Sequence, residues 1–130
     1  MREIKYRGLV VEPLVSGDKW ITADGEYHEV YINRAEKSAY INGHEVDYES
    51  VGQSTGLKDK VGVSIFEGDL FKHPMGIIAE IIYADEFAAF LAKYKLGESY
   101  RRDLLDPLIV SQCEVVGNKF ENPELLEATA

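Results

Sequence analysis

The 130-residue sequence contains one cysteine, Cys113, and only 4 prolines. A single thiol cannot close an internal disulfide, so folding rests on an apolar core and needs no oxidising compartment. Long apolar runs are missing too. Phe87-Ala88-Ala89-Phe90-Leu91-Ala92 is far shorter than a membrane span. The amino-terminal Met1-Arg2-Glu3-Ile4-Lys5-Tyr6-Arg7 alternates charged with apolar residues and has no signal-peptide core. These absences predict a chain of the cytoplasm with no membrane partner.

Positive charge is also scarce. Lys and Arg number 14 against 23 Asp and Glu, a net charge of −9. The deficit is spread: residues 1–50 carry 6 basic and 10 acidic side chains, and residues 51–130 carry 8 and 13. Neither half is a basic module, which argues against direct binding of nucleic acid through its phosphates. Lys93, Lys95, Arg101 and Arg102 form one local cluster of the opposite sign. His28, His44 and His73 stand apart without metal-ligand spacing, and Cys113 has no thiol partner. No metal, cofactor or catalytic residue is expected.

What is present reads as short strands separated by turns. At 45% apolar and 28% charged, the composition is that of a soluble globular domain. Ile4 and Tyr6 alternate with charges, as a half-buried strand requires. Trp20–Ala23, Asp24-Gly25 and Tyr27–Ile32 read as a hairpin, because Asp-Gly supplies the positive φ of a tight turn. A second hairpin is clearer. With Asn42-Gly43 as its loop, Ile41 faces His44, Tyr40 faces Glu45, Ala39 faces Val46 and Ser38 faces Asp47. Alternation then puts Ala39, Ile41, His44, Val46 and Tyr48 on a packing face. Ser38, Tyr40, Glu45, Asp47 and Glu49 take the wet face.

Residues 51–62 are glycine-rich and polar and read as a loop or tight turns. Ser64–Lys72 reads as strand pieces bent at Gly68, and Gly76–Tyr83 as a central strand. Residues 86–94 are ambiguous: Phe87, Phe90, Leu91 and Tyr94 have helical spacing, yet a turn at 83–86 would return an antiparallel strand. Ser99–Leu105 reads as a short helix ended by Pro107. Cys113–Val116 reads as a strand turned by Gly117-Asn118. Asn122 then caps a final helical turn, with Pro123 at its first position and Leu125 and Leu126 as anchors.

Three stretches carry a family resemblance: Arg2–Arg7; Val51-Gly52-Gln53-Ser54-Thr55-Gly56-Leu57-Lys58-Asp59-Lys60 through Ile65-Phe66-Glu67-Gly68-Asp69; and Glu114–Leu126. In order and spacing the chain resembles the YopX family of small phage and prophage proteins. The resemblance implies a mainly β fold, with a strand-and-hairpin region at 1–50 and an SH3-type barrel-like part at 51–130. It also implies a strand over 86–94, and it supplies no catalytic residues. The sequence departs from the family pattern at Ser54, where an aromatic is usual, and at Val61-Gly62-Val63, which weakens a turn signal.

Few residues suggest chemistry. Gly52-Gln53-Ser54-Thr55-Gly56 matches the G-x-S-x-G of a nucleophile elbow but lacks the following helix and the large α/β sheet, so a turn is expected. Glu45, Asp47 and Glu49 form an acidic stripe that could meet a cation or basic partner, or could simply protect an edge. Glu67-Gly68-Asp69 reads as a bend in which Asp69 accepts backbone amides, with an acid–base role as the sharper alternative. Tyr27, Tyr31, Tyr40 and Tyr48 suit either a core or a self-association surface. Gly52, Gln53, Thr55, Gly56, Leu57, Glu67, Gly68, Asp69, Asn122 and Pro123 are the motif positions on which a partner would bear. The leading expectation is a non-enzymatic phage accessory module that binds a protein partner or itself. The alternatives are an acidic mimic of nucleic acid that occupies a host DNA-binding protein, and a small enzyme near Glu67 and Asp69.

Overall fold

The computed structural model describes residues 5–23 and 29–127. Ile4, the Asp24-Gly25 turn, Tyr27 and His28 lie outside them. The chain divides into two compact units, residues 1–54 and residues 55–130. Its architecture is mainly β, as expected, and the strand pairings with a defined register among the described residues are antiparallel.

In the first unit, β1 (Tyr6–Leu9) pairs with β2 (Trp20–Ala23) on one side and with Gly52-Gln53, the start of a later strand, on the other. A separate three-stranded sheet runs β3 (Val30–Asn33), β4 (Ser38–Ile41) and β5 (His44–Val46). β2 and β3 therefore do not form the expected hairpin; each has another partner. The Asn42-Gly43 turn behaves as its chemistry demands, with φ of 50° and 81° at its two residues. The ladder Ile41↔His44, Tyr40↔Glu45, Ala39↔Val46 has the expected register. Ala39, Ile41 and Val46 are buried with Ala23 in the core of this unit.

The wet face needs correction. β5 ends at Val46, and Asp47 caps a 3-10 turn over Tyr48–Ser50, accepting the Glu49 amide on Oδ1 at 3.0 Å. Aspartate competes for backbone amides and so ends strands. Glu45, Asp47 and Glu49 are all exposed, but only Glu45 lies on the strand. His44, beside the turn, is also exposed and not packed.

In the second unit, β6 (Gly52–Lys58) enters from the first and runs beside β7 (Ser64–Phe66). The glycine-rich stretch is thus a strand over 52–58, and only its end, at residues 60–62, turns as expected. Thr55 donates its hydroxyl to the Ile65 carbonyl at 2.9 Å and accepts the Leu57 amide at 3.1 Å, while Gly56 takes φ of 82°. The positive φ and the hydroxyl's hold on the amide two residues on mark a local irregularity in the strand at this glycine.

A five-stranded sheet completes this unit in the order β11-β10-β9-β8-β12, with β8 (Asp69–Lys72), β9 (Ile78–Ala84), β10 (Ala89–Leu96), β11 (Ser99–Leu104) and β12 (Glu114–Asn118). The β-branched run at 77–82 is its central strand, as its composition predicts. The sheet is open and not closed into a barrel, leaving β11 at one edge and β12 at the other. β10 is a strand, consistent with the family resemblance and against local helical spacing; Asp85–Phe87 makes a 3-10 turn before it. Its Leu91 and Ala92 are buried by the sheet, and that burial overrides propensity.

Ser99–Leu104 is the other reversal: a strand where a helix is expected. Gly97 at φ of 66° turns the chain straight back onto β10, with Leu96 paired to Ser99. Pro107 does not end a helix but begins one, at the first position of α1 (Pro107–Val110), where its missing N–H costs nothing. Asp106 caps it through the Leu108 amide at 2.9 Å. α2 (Glu124–Glu127) packs against β9. The core of this unit gathers Ile65, Phe71, Ala79, Ile81, Ala92, Val110 and Cys113.

Candidate functional site

Among the described residues two concavities stand out, one in each unit. The first opens on the face of the five-stranded sheet under the segment 104–113. Its floor is Ala79 and Ala92, whose small side chains leave a depression between Phe71, Ile77 and Tyr94. Val110 and Cys113 wall it from the α1 side. The cavity measures about 240 Å³. Met75, 82% exposed, and Ile109, 47% exposed, stand on its rim.

Its polar groups are few. Tyr94 donates its hydroxyl to Asp103 Oδ2 at 2.6 Å. That hydrogen bond first, and burial second, push the phenol above its ordinary pKa. His73 accepts the Met75 amide on Nδ1 at 3.1 Å, and Asp106 is engaged as the α1 cap. Burial pushes the Cys113 thiol above its ordinary pKa. The rest of the cleft's lining is mostly apolar.

The second concavity, in the first unit, is lined by Leu9, Val10, Val11, Lys19, Lys37, Glu45, Val46, Asp47, Tyr48 and Glu49. It brings the three acidic residues together, and it adds two lysines among them. Tyr31 and Tyr40 sit opposite each other on β3 and β4, ring centroids 6.2 Å apart, and both are exposed; Tyr48 is half-buried against the core.

The motif residues have structural employment. Ser54 is buried on β6, with no helix after it. Glu67-Gly68 turns β7 into β8 with Gly68 at φ of 92°. Asp69, 2% exposed, accepts the Phe66 amide on Oδ2 at 2.8 Å. Neither Glu67 nor Asp69 lines either concavity. β12 continues through Gly117-Asn118 with a bulge between Val115 and Gly117, and the chain turns only after it. Asn122 accepts the Asn118 amide on Oδ1 at 3.2 Å and the Leu125 amide on its carbonyl at 3.1 Å. Asn118 in turn accepts the amides of Phe120 and Glu121 and donates to the Glu121 carboxylate. The turn before Pro123 is thus a side-chain clasp.

One important residue escapes a motif reading. Asp59, 5% exposed, accepts the Val61 and Val63 amides on Oδ1 and the Val115 amide on Oδ2, all within 3.0 Å. Burial pushes its pKa up, but the amides of Val115, Val63, Val61 and Gly62 outweigh burial and hold the carboxyl below its ordinary value. The turn at Val61-Gly62-Val63 persists through this side chain although its own residues signal it weakly. An Asp followed by turn residues was the available clue.

The basic cluster does not form one patch. Lys93 pairs with Arg102 and Tyr94 with Arg101 across β10 and β11, so Arg101 faces the opposite side of the sheet from the others. Arg102 is held by Glu86 at 2.7 Å.

The model of the YopX protein family matches residues 15–127. The chain belongs to the YopX family. Among solved structures, that of the protein EF1440 from Enterococcus faecalis is similar to this YopX-family chain, at 23% identity and a TM-score of 0.47, covering 95% of this chain and 97% of that one. No curated protein matches. Among the described residues of this family member, no helix is long and apolar enough to cross a membrane.

Proposed function

We propose that this chain is a non-enzymatic β module that works by association, binding a protein partner or a second copy of itself, as a phage or prophage accessory protein in the host cytoplasm. The apolar cleft of about 240 Å³ with Met75 and Ile109 exposed on its rim is the observation that supports this reading. Such a volume exceeds the roughly 150 Å³ that accepts benzene and falls below the roughly 300 Å³ at which sites for drug-sized molecules begin. It suits one or two apolar side chains of a protein. Leu108, 71% exposed on α1, extends the apolar surface.

The mimicry reading gains nothing comparable, because Lys19 and Lys37 interrupt the acidic groove. The test is capture of proteins from host lysate by the immobilised chain, compared with Met75→Asp/Ile109→Asp. Both rim residues are exposed, so the variant folds. The expected result is a partner captured by the unaltered chain and lost by the variant. Equal capture by both, or capture that salt alone abolishes, overturns the cleft as the binding surface.

A further inference from the structure

We infer that two copies of the chain associate through β11, edge to edge and antiparallel about a two-fold axis at Arg102, joining their five-stranded sheets into one. The inference rests on the reading of the chain as an association module; it uses the outer edge of β11, of which Asp103 and Leu104 also line the cleft, and not the Met75 and Ile109 rim.

β11 is the outermost strand of its sheet, pairs only with β10 among the described residues, and is exposed along its whole length. An exposed strand edge is a template for a further strand. The Gly97-Glu98 loop, with Gly97 at φ of 66°, closes a two-residue hairpin in which Leu96 and Ser99 flank the turn. Flanking residues of such a loop exchange hydrogen bonds, and the exchange alternates along the ladder. The N–H and C=O groups of Tyr100, Arg102 and Leu104 therefore point outward, away from β10.

The side chains select the partner and the register. With Arg102 opposite its symmetry mate, Arg101 faces Asp103 of the second copy and Asp103 faces Arg101. Tyr100 faces Leu104, and Leu104 faces Tyr100. Each contact occurs twice, as a two-fold interface requires. Arg101 has no ion-pair partner among the described residues. Tyr100 and Leu104, 67% and 68% exposed, gain the apolar neighbours that the free edge denies them. A shift of the axis by one residue along the strand puts Arg101 against Arg101 or Asp103 against Asp103. In the inferred register the two Arg102 side chains also meet, but each is neutralised within its own chain by Glu86 at 2.7 Å and lies over Phe87. The strand is self-complementary in one register and repulsive in its neighbours.

Sedimentation of the full chain tests this by charge reversal. R101D and D103R are each expected to weaken the dimer by about tenfold or more, since each replaces two attractive pairs by two repulsive ones. Mixing the two variants restores a heterodimer, because every contact between positions 101 and 103 then again joins opposite charges. R101D leaves the Tyr94–Asp103 bond in place, so its fold is secure even where D103R, which loses that bond, is compromised. R102C, joined to itself by a short bifunctional thiol reagent, gives an independent reading of the register. A monomeric unaltered chain at high concentration overturns the inference while leaving partner capture by the cleft untouched. Single variants that still dimerise, or R102C that does not cross-link, overturn this interface.

Discussion

Asp59 Oδ2 accepts the backbone amide of Val115 at 2.9 Å, a bond that ties positions 56 residues apart in the sequence. The same carboxylate closes the turn at Val61 and Val63. It thus fixes the approach to β7 and the start of β12 at one point.

Asp59→Ala leaves three part-buried amides without an acceptor and should destabilise the chain by about 3 kcal/mol or more. Asp59→Asn keeps one acceptor oxygen but turns an amide group toward a donor, and should cost nearly as much. Urea denaturation measures both. A loss below about 1 kcal/mol for Asp59→Ala would show that water replaces the carboxylate.

The same residue sets a pH dependence. Its carboxyl titrates below the unfolded value of about 3.9 because the amides outweigh burial. The folded state therefore binds this proton less readily than the unfolded state. The contribution to stability is complete above the unfolded pKa and is lost as pH falls through the lower folded one. Urea midpoints followed from about pH 5 downward should drop less steeply in Asp59→Asn than in the unaltered chain. Parallel curves would count against the assignment.

Gly117 and Asn122 should be energetically coupled. A Cβ on residue 117 would collide with the Asn122 carboxamide. Gly117→Ala is expected to cost about 1–3 kcal/mol through that overlap. Asn122→Ala costs about 1 kcal/mol through the lost bond to Asn118. In the double variant the overlap with the carboxamide is gone and only a tight 3.1 Å approach to the Cβ of residue 122 remains, so its cost should fall clearly below the sum. Additive losses in a denaturation cycle would place the effect of Gly117→Ala in the backbone alone.

Ala88 offers a gain. It sits exposed in the turn between β9 and β10 at φ of 50°, a left-handed conformation that strains an L-residue. Ala88→Gly should stabilise the chain by about 0.5–1 kcal/mol, after allowing for the greater freedom of glycine when unfolded. Thermal melting at neutral pH checks the sign. A lower melting temperature would mean that the turn adopts another conformation in solution.

The readings that succeeded depend on near neighbours. Asn42-Gly43 has the positive φ of its turn written in two residues, and alternation from there sorts Ala39, Ile41 and Val46 into the core. Asp69 could be read as an acceptor for a nearby amide because Phe66 is three residues away. The readings that failed depend on distant partners. Ser99–Leu104 has no strong periodicity, and only the ladder offered by β10 makes it a strand. Glycines at 52 and 56 signal a loop until β1 and β7 supply neighbours for β6.

By itself, then, the order of residues determined the family, the β character, the tight turn at Asn42-Gly43 and the identity of the central strand, since each is a local pattern or a property of composition. Tertiary structure alone decided that the cleft exists. Its floor of Ala79 and Ala92 and its walls from Phe71 to Cys113 come from separate strands and a helix, and no spacing along the chain announces that they meet. It also decided that Arg101 and Asp103 lie on a free edge. Charges two residues apart come to line a sheet edge only when pairing with β10 makes this segment the outermost strand.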